Sequence, residues 1–102
     1  AIDKYLPEAP ETALRDWEQA GRLGGNDPHY WQQAAKLCLK LGKINQAVQD
    51  LQHAAALVPT DGQLLFNLAK TESKAGQLAA ARRHYQQLLS LLVDEKQRQQ
   101  VL

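Results

Sequence analysis

A repetition with a period of 34 residues constrains the fold of this chain more than any other feature. Three residues of one stretch recur 34 positions later: Gly42 as Gly76, Ala47 as Ala81 and Leu51 as Tyr85. A repeat of this length is typical of solenoids, in which each unit buries its apolar face against its neighbours. The sequence therefore predicts an all-α superhelix, a solenoid of antiparallel helix pairs.

Capping residues and prolines mark the starts of the predicted helices. A side-chain oxygen before the first turn accepts a hydrogen bond from an unpaired backbone N–H, and proline suits the first helical position. The predicted start signals are Pro10, then Asp27 followed by Pro28, then Asn45, and finally Thr60 or Asp61.

Glycines and one proline mark the predicted ends. The first helix is expected to end near Leu23, the second at Leu41, the third near Val58 and the fourth before Gly76. No breaker follows Leu78, so the last helix is expected to continue to about Gln99. Nothing alternates with a period of two, and no strand is predicted.

Apolar residues recur at intervals of three and four and so predict the inward faces of the helices. These residues are Ala13, Trp17, Ala20 and Leu23; Trp31, Ala34, Ala35, Cys38 and Leu41; Ala47, Val48, Leu51, Ala54, Ala55 and Val58; and Leu65, Leu68, Ala69 and Thr71. Ile2, Tyr5 and Leu6 could end an earlier helix, although Pro7 and Pro10 interrupt any regular pattern there.

The repeated pattern resembles the tetratricopeptide repeat, in which large and small residues alternate at set positions of a helix pair. The matching positions are Trp31, Ala34, Ala35, Cys38, Ala47, Leu51, Ala54 and Pro59 in one unit, and Leu65, Leu68, Ala69, Glu72, Ala81, Tyr85 and Leu88 in the next. The resemblance implies one domain over residues 1–102: a half-repeat helix at 10–25, repeats at 28–61 and 62–95, and a helical extension at 96–102.

Two positions depart from that family pattern. Glu72 stands where an aromatic residue is usual, which indicates looser or partly wet packing near the end of its helix. Val93 replaces the closing proline, which supports a long terminal helix.

The single cysteine limits the chemistry that the chain can perform. Cys38 has no partner for an internal disulfide, and one thiol does not make a structural zinc site. Its place on an apolar face favours a small buried side chain over a reactive thiol. We expect no metal site and no cofactor.

The histidines and glycines do not form an enzyme motif. His29, His53 and His84 lie on different predicted helices without metal-ligand spacing, and we expect each on the surface or in a groove. Gly24 and Gly25 end a helix but are not followed by the Gly-Lys-Ser/Thr of a phosphate-binding loop. We therefore expect no catalytic residues, no enzyme activity and no small-molecule substrate.

The first helices of the units are expected to line a concave groove. The predicted partner-binding residues are His29, Gln32, Lys36, Leu39, Lys40, Gln63, Phe66, Asn67, Lys70, Ser73 and Lys74. The four lysines form two pairs with a spacing of four residues, and the pairs are related by the repeat. At normal helix spacing their ammonium groups lie within about 10 Å of one another laterally.

The lysines permit two interpretations. The functional one is a basic groove that accepts an acidic or carboxylate-ended protein segment, with Phe66 and Leu39 as apolar anchors. The other is a solvated lysine face that keeps the protein in solution. A net charge of +1 and the lack of further interleaved aromatics make nucleic-acid binding a weaker hypothesis.

The resemblance also suggests a comparison with the carboxylate clamp of chaperone-binding family members. Asn67 matches one clamp asparagine, but Gln32 and Lys36 occupy the first pair of positions, and the third unit is absent. Recognition of chaperone tails is therefore not favoured.

The end of the chain carries more apolar residues than one helix face can bury: Leu88, Leu89, Leu91, Leu92 and Val93. They could dock a neighbouring domain or a second copy of the chain. The simpler interpretation places Leu88 and Leu92 in the core and leaves only Leu91 or Val93 spare.

Taken together, these patterns predict a protein–protein interaction module that acts as an adaptor or assembly scaffold. The alternative is a structural segment that dimerises through the terminal helix. No run approaches the roughly 20 apolar residues of a membrane span. The chain begins at Ala1 and has no signal-peptide pattern, so we expect a soluble segment of a longer protein and leave its compartment open.

Overall fold

A computed structural model describes residues 10–101, with side chains described as far as residue 96. It contains five helices: α1 (Pro10–Leu23), α2 (His29–Lys40), α3 (Ile44–Leu57), α4 (Gly62–Lys74) and α5 (Leu78–Val101). Each helix packs against the next one along the chain. This arrangement confirms the predicted all-α superhelix of antiparallel helices.

The predicted units can be compared with these bounds. The pair α2 and α3 lies within residues 28–61, and α4 with most of α5 lies within 62–95. The division of the chain into those units stays a prediction. The suggested helix at Ile2, Tyr5 and Leu6 lies outside the described residues. None of the helices in the described part is long and apolar enough to cross a membrane.

The turns within the two helix pairs have the same backbone structure. Gly42 has a φ angle of +77° and Gly76 one of +81°, a region that residues with a Cβ rarely adopt. In the first turn the N–H of Lys43 donates to the carbonyl oxygen of Cys38 at 2.8 Å, and in the second Gln77 donates to Glu72 at the same distance. The 34-residue repetition is thus a repetition of turn geometry.

The helix starts agree only in part with the predicted caps. Asp61 caps α4, because its Oδ1 accepts a hydrogen bond from the N–H of Leu64 at 3.1 Å. Asp27 accepts from the N–H of His29 at 2.8 Å, but α2 begins at His29 and not at Pro28. The predicted cap Asn45 is wrong, because α3 already begins at Ile44. The residue before α3 is Lys43, whose carbonyl oxygen accepts the first hydrogen bond of the helix from the N–H of Ala47 at 3.0 Å.

The face that α1 turns toward the core differs from the prediction. Leu14 and Gly21 are buried, while Leu23 is 77% exposed. A Cβ atom at Gly21 would lie 2.6 Å from Cε2 of Trp31, so glycine is what permits this approach. The contact turns the Leu14–Gly21 edge of α1 inward, and Ala13, Trp17 and Ala20 are half-buried.

The core of the two later pairs follows the predicted stripes closely. Leu65, Leu68, Ala69 and Thr71 are buried as expected, and Leu64 joins them at 1% exposure. The simpler of the two interpretations of the last helix places Leu92 in the core, and that is wrong, because Leu92 is 52% exposed. Leu88 is half-buried and lies close to Gly62, and it takes the inward position next to α4.

We predict that Gly42→Ala lowers the free energy of unfolding by about 1–2 kcal/mol, because alanine is strained at positive φ. A Cβ at this position would meet nothing within 4 Å, so the strain comes from the backbone alone. Urea denaturation measures the change. Gly42→Asn should lower the free energy of unfolding less than Gly42→Ala does, since asparagine tolerates positive φ better. An alanine variant as stable as the native protein would contradict the assignment.

Candidate functional site

A pocket of about 310 Å³ opens between α2 and α4. Its walls carry Gln32, Lys36 and Leu39 from α2 and Asn67 and Lys70 from α4. Lys36 and Lys70 are exposed and lie 34 positions apart, so the repeat places both ammonium groups on the same side of the solenoid. The structure thus brings together five of the residues that the sequence assigns to the groove.

The floor of the pocket consists of residues that the sequence assigned to the core alone. Ala35 and Leu51 are only 2% and 4% exposed, and Thr71 is buried beside them. The hydroxyl of Thr71 donates to the carbonyl oxygen of Asn67 at 2.8 Å, which leaves its methyl group free to pack. The pocket therefore has an apolar floor beneath polar and charged walls.

Hydrogen bonds and an aromatic contact hold the α4 wall in place. Nε2 of Gln63 donates to Oδ1 of Asn67 at 3.3 Å. Nζ of Lys70 lies 5.3 Å from the ring centroid of Phe66, within the range of a cation–π interaction. The Phe66 ring is 40% exposed and lies 6.3 Å from that of Tyr85, so it forms an apolar shoulder beside the pocket.

The other predicted groove residues do not line the pocket. Lys40 and Lys74 are the exposed last residues of α2 and α4, and Ser73 is exposed one position earlier. His29 lies at the other end of α2, where its ring contacts Trp17 edge-on at a centroid distance of 6.2 Å.

The three histidines occupy different environments. His29 is exposed, and His53 is exposed with its ring stacked on Trp31 at a centroid distance of 4.2 Å. His84 is not simply a surface or groove residue, because its Nδ1 lies 2.6 Å from Oε1 of Glu72 and its side chain is 23% exposed. Glu72 itself is 0% exposed. The carboxylate is thus buried and paired with His84 through one oxygen, and the expected looser or partly wet packing at Glu72 stays a prediction.

A second buried polar pair lies one repeat earlier. Cys38 and Asp50 precede Glu72 and His84 by 34 residues each, and Sγ of Cys38 donates to Oδ2 of Asp50 at 3.4 Å. Cys38 is buried as predicted, but it contacts a carboxyl group where the sequence indicated apolar surroundings. The equivalence of positions 50 and 84, both polar on the inward side of a second helix, was the signal that could have identified these pairs.

Burial changes the acidity of both members of this pair. Loss of hydration, together with the neighbouring Glu18 carboxyl group, raises the pKa of Asp50 to about 7. Burial, with the hydrogen bond to Asp50, raises the pKa of the Cys38 thiol to about 12. The thiol therefore stays protonated and is a poor nucleophile.

The same side chains are the candidates for binding a metal ion. One ligand atom from each of Glu18, Cys38 and Asp50 lies within 4.8 Å of the others. A thiol must lose its proton to bind a metal, and the raised pKa of Cys38 opposes that loss. Glu18 already accepts a hydrogen bond from Nε2 of Gln46 at 2.9 Å. The cluster fits a hydrogen-bonded polar group better than a metal centre.

Comparison with protein-family models matches residues 13–97 to the family described as bacterial transcriptional activator domain. No curated protein matches the chain. The family match overturns the assignment to the tetratricopeptide repeat family. The spacing of glycines and alanines specifies how helix pairs stack, and that geometry alone did not identify the family.

We predict that Asp50 makes the stability of the protein depend on pH. Its pKa of about 7 in the native state lies above its ordinary value of 3.8, so the native state binds this proton more tightly than the unfolded chain does. The protonated Asp50 carboxyl group therefore contributes its full stabilisation to the native state below about pH 4, and this stabilisation is lost as the pH rises toward 7. When the pH is raised from 5 to 8, the free energy of unfolding of the native protein should fall by about 2–3 kcal/mol more than that of Asp50→Asn.

Urea denaturation of both proteins at pH 5 and pH 8 gives this difference directly. Asp16→Asn is the matched control, because Asp16 is exposed and lies 34 positions before Asp50. Equal pH dependence of the native protein and Asp50→Asn would show that the carboxyl group ionises normally.

Proposed function

The chain belongs to the bacterial transcriptional activator domain family, and on that premise we propose that it is a non-catalytic protein–protein interaction module within a transcriptional activator. We propose further that it holds a segment of a partner protein in the pocket between α2 and α4. The module would act as an adaptor that joins the activator to its partner.

The observation that carries this proposal is the pairing of Lys36 and Lys70 above an apolar floor. Within the part of the chain that the structure describes, the pocket is lined by two lysines and by no acidic side chain. Like charges placed side by side do not stabilise a fold, so their position is better explained by an incoming anionic group. The chemistry of the pocket therefore favours an acidic segment.

The apolar floor defines the second part of the ligand. A partner side chain that reaches Ala35 and Leu51 is removed from water, which contributes about 25 cal/mol for each Å² of apolar surface. An exposed ion pair contributes only about 0–1 kcal/mol. The apolar contact therefore supplies most of the affinity, and Lys36 and Lys70 select for charge and orientation. Phe66 extends the apolar surface beyond the pocket.

The environment of the titratable groups supports a non-catalytic role. A nucleophilic cysteine requires a thiolate, whereas burial holds the Cys38 thiol protonated. The ring of His84 is occupied by buried Glu72 and does not face the pocket. Binding of a nucleic acid is less favoured, because among the described residues Phe66 is the one aromatic ring in cation–π contact with a pocket lysine.

We predict that peptides with glutamates on both sides of a central phenylalanine bind this pocket. The probes are fluorescein-labelled peptides of this type, and anisotropy measures their affinity. Lys36→Glu combined with Lys70→Glu should weaken binding about 10-fold or more, because attraction becomes repulsion. The helical circular dichroism signal should be unchanged.

Arg82→Glu combined with Arg83→Glu is the matched control, since it reverses two exposed charges on α5. This control should bind the acidic peptides with nearly native affinity. The proposal fails if lysine-flanked peptides bind equally well, or if both double variants lose affinity to the same extent. Preferential binding of single-stranded DNA over every peptide would indicate the nucleic-acid alternative.

A further inference from the structure

A second surface, independent of the pocket, lies on the outer side of α5. It consists of the exposed residues Leu78, Leu89, Leu92 and Val93, which are 65%, 61%, 52% and 51% exposed. At 3.6 residues per turn these positions fall within one face of the helix. We call this set the α5 outer face. Leu89, Leu92 and Val93 are neighbours on this face, and exposed apolar residues grouped in this way mark interaction sites.

The repeat shows what the α5 outer face corresponds to. Leu89 and Leu92 lie 34 positions after Ala55 and Val58 of α3. Ala55 and Val58 pack against the buried cluster that contains Leu64 of α4. In the first helix pair, therefore, the next helix covers this face. Among the described residues, no helix covers the corresponding face of α5.

We propose that the α5 outer face binds an amphipathic helix of a partner, which lies on α5 as α4 lies on α3. The interface continues one that the chain already forms, because each stacking step of a solenoid repeats the previous one. A terminal helix that ended the stack would carry polar residues on this side. Leucines at positions 89 and 92 instead extend the apolar contact surface.

The size of Leu89 indicates how large a side chain the partner helix can carry opposite it. Leu89 stands where α3 has Ala55, so three additional carbon atoms project toward the incoming helix. The turn between α3 and α4 is short, and Leu64 belongs to the buried cluster on which Ala55 and Val58 pack. Two leucines in the same place would overpack the contact. The partner helix therefore carries an alanine-sized residue where α4 has Leu64.

The charges beside the leucines specify the ends of the partner helix. Arg82 is exposed four residues after Leu78, and Lys96 is exposed four residues after Leu92. Both therefore lie on the same side of α5 as the leucines. A partner with acidic residues near both ends matches this face, and one with basic ends is repelled.

The probes are two fluorescein-labelled, hydrocarbon-stapled peptides that span residues 61–75. Stapling is needed because an isolated helix of this length is marginal in water. Both carry Lys70→Glu and Lys74→Glu to make the end near Arg82 acidic, while Asp61 supplies the acidic group at the other end. One keeps Leu64, and the size-matched peptide also carries Leu64→Ala.

Native protein should bind the size-matched peptide about 5-fold more tightly than the peptide that keeps Leu64. Leu89→Ala makes α5 resemble α3 at this position and should reverse that preference. Leu89→Asp combined with Leu92→Asp should weaken binding of the size-matched peptide about 10-fold. Leu23→Asp is the matched control: this leucine is 77% exposed on α1, outside both the pocket and the α5 outer face, so its substitution should leave the affinity unchanged.

Several results would overturn the proposal. One is the lack of any saturable binding up to about 1 mM protein. Another is loss of affinity in Leu39→Asp but not in the α5 variant, which would place the peptide in the pocket. A third is a concentration-dependent dimer in sedimentation that Leu89→Asp dissolves, because a second copy of the chain would then occupy the face. The second result concerns the pocket as well, whereas the first and third leave the test of the pocket with the acidic peptides unaffected.

Discussion

Close approach of helices through small side chains is the constraint on which the whole structure depends. Ala34, Ala47, Ala54 and Ala69 are 0% exposed and belong to three successive helices. Alanine at a contact lets two helix axes come within about 8–10 Å, and the larger neighbours then fill the remaining space. Two of these contacts recur with the 34-residue period, since Ala69 follows Ala35 and Ala81 follows Ala47 by 34 positions, so the two helix pairs pack alike. The pocket and the α5 outer face are both consequences of that regular stacking.

The two buried polar pairs add a second constraint to this apolar framework. Cys38 with Asp50 joins α2 to α3, and Glu72 with His84 joins α4 to α5 at the equivalent places. A buried polar group without a partner is destabilising by about 1–3 kcal/mol. A slip of either helix by one residue would separate its pair, so the pairs oppose wrong registers in a way that alanine and leucine contacts alone do not. One oxygen, Oε2 of Glu72, has no hydrogen-bond partner among the described residues.

Much of this architecture could be predicted because local signals and packing agree. The positive φ angles at Gly42 and Gly76 follow from the need to end a helix tightly, and Asp61 caps α4 as its side chain suggests. Asn45 is an equally good capping residue by type, but the turn before it was already closed by Lys43. Local propensity was overridden there by the geometry of the preceding helix end.

The site was harder to predict, because pairing across helices leaves little trace in a single stretch of sequence. The lysines of the pocket were identifiable from their period, whereas the floor residues Ala35 and Leu51 looked like ordinary core. In the sequence Glu72 was a charged residue within an apolar stripe, and its partner His84 could not be identified because it lies on the next helix. The family could not be identified from the 34-residue spacing either, because this spacing reflects how the helices stack and not what they bind.

The indole of Trp31 lies where three helices meet, with Gly21 of α1 close to one part of it and His53 of α3 stacked on its ring. Since only a hydrogen atom fits at position 21, the sizes of residues 21 and 31 are coupled. Over evolutionary time, a relative that enlarges position 21 has to shrink position 31 and so gives up the platform on which His53 rests. These three positions should therefore change together among relatives, as a unit that ties the leading helix to the rest of the solenoid.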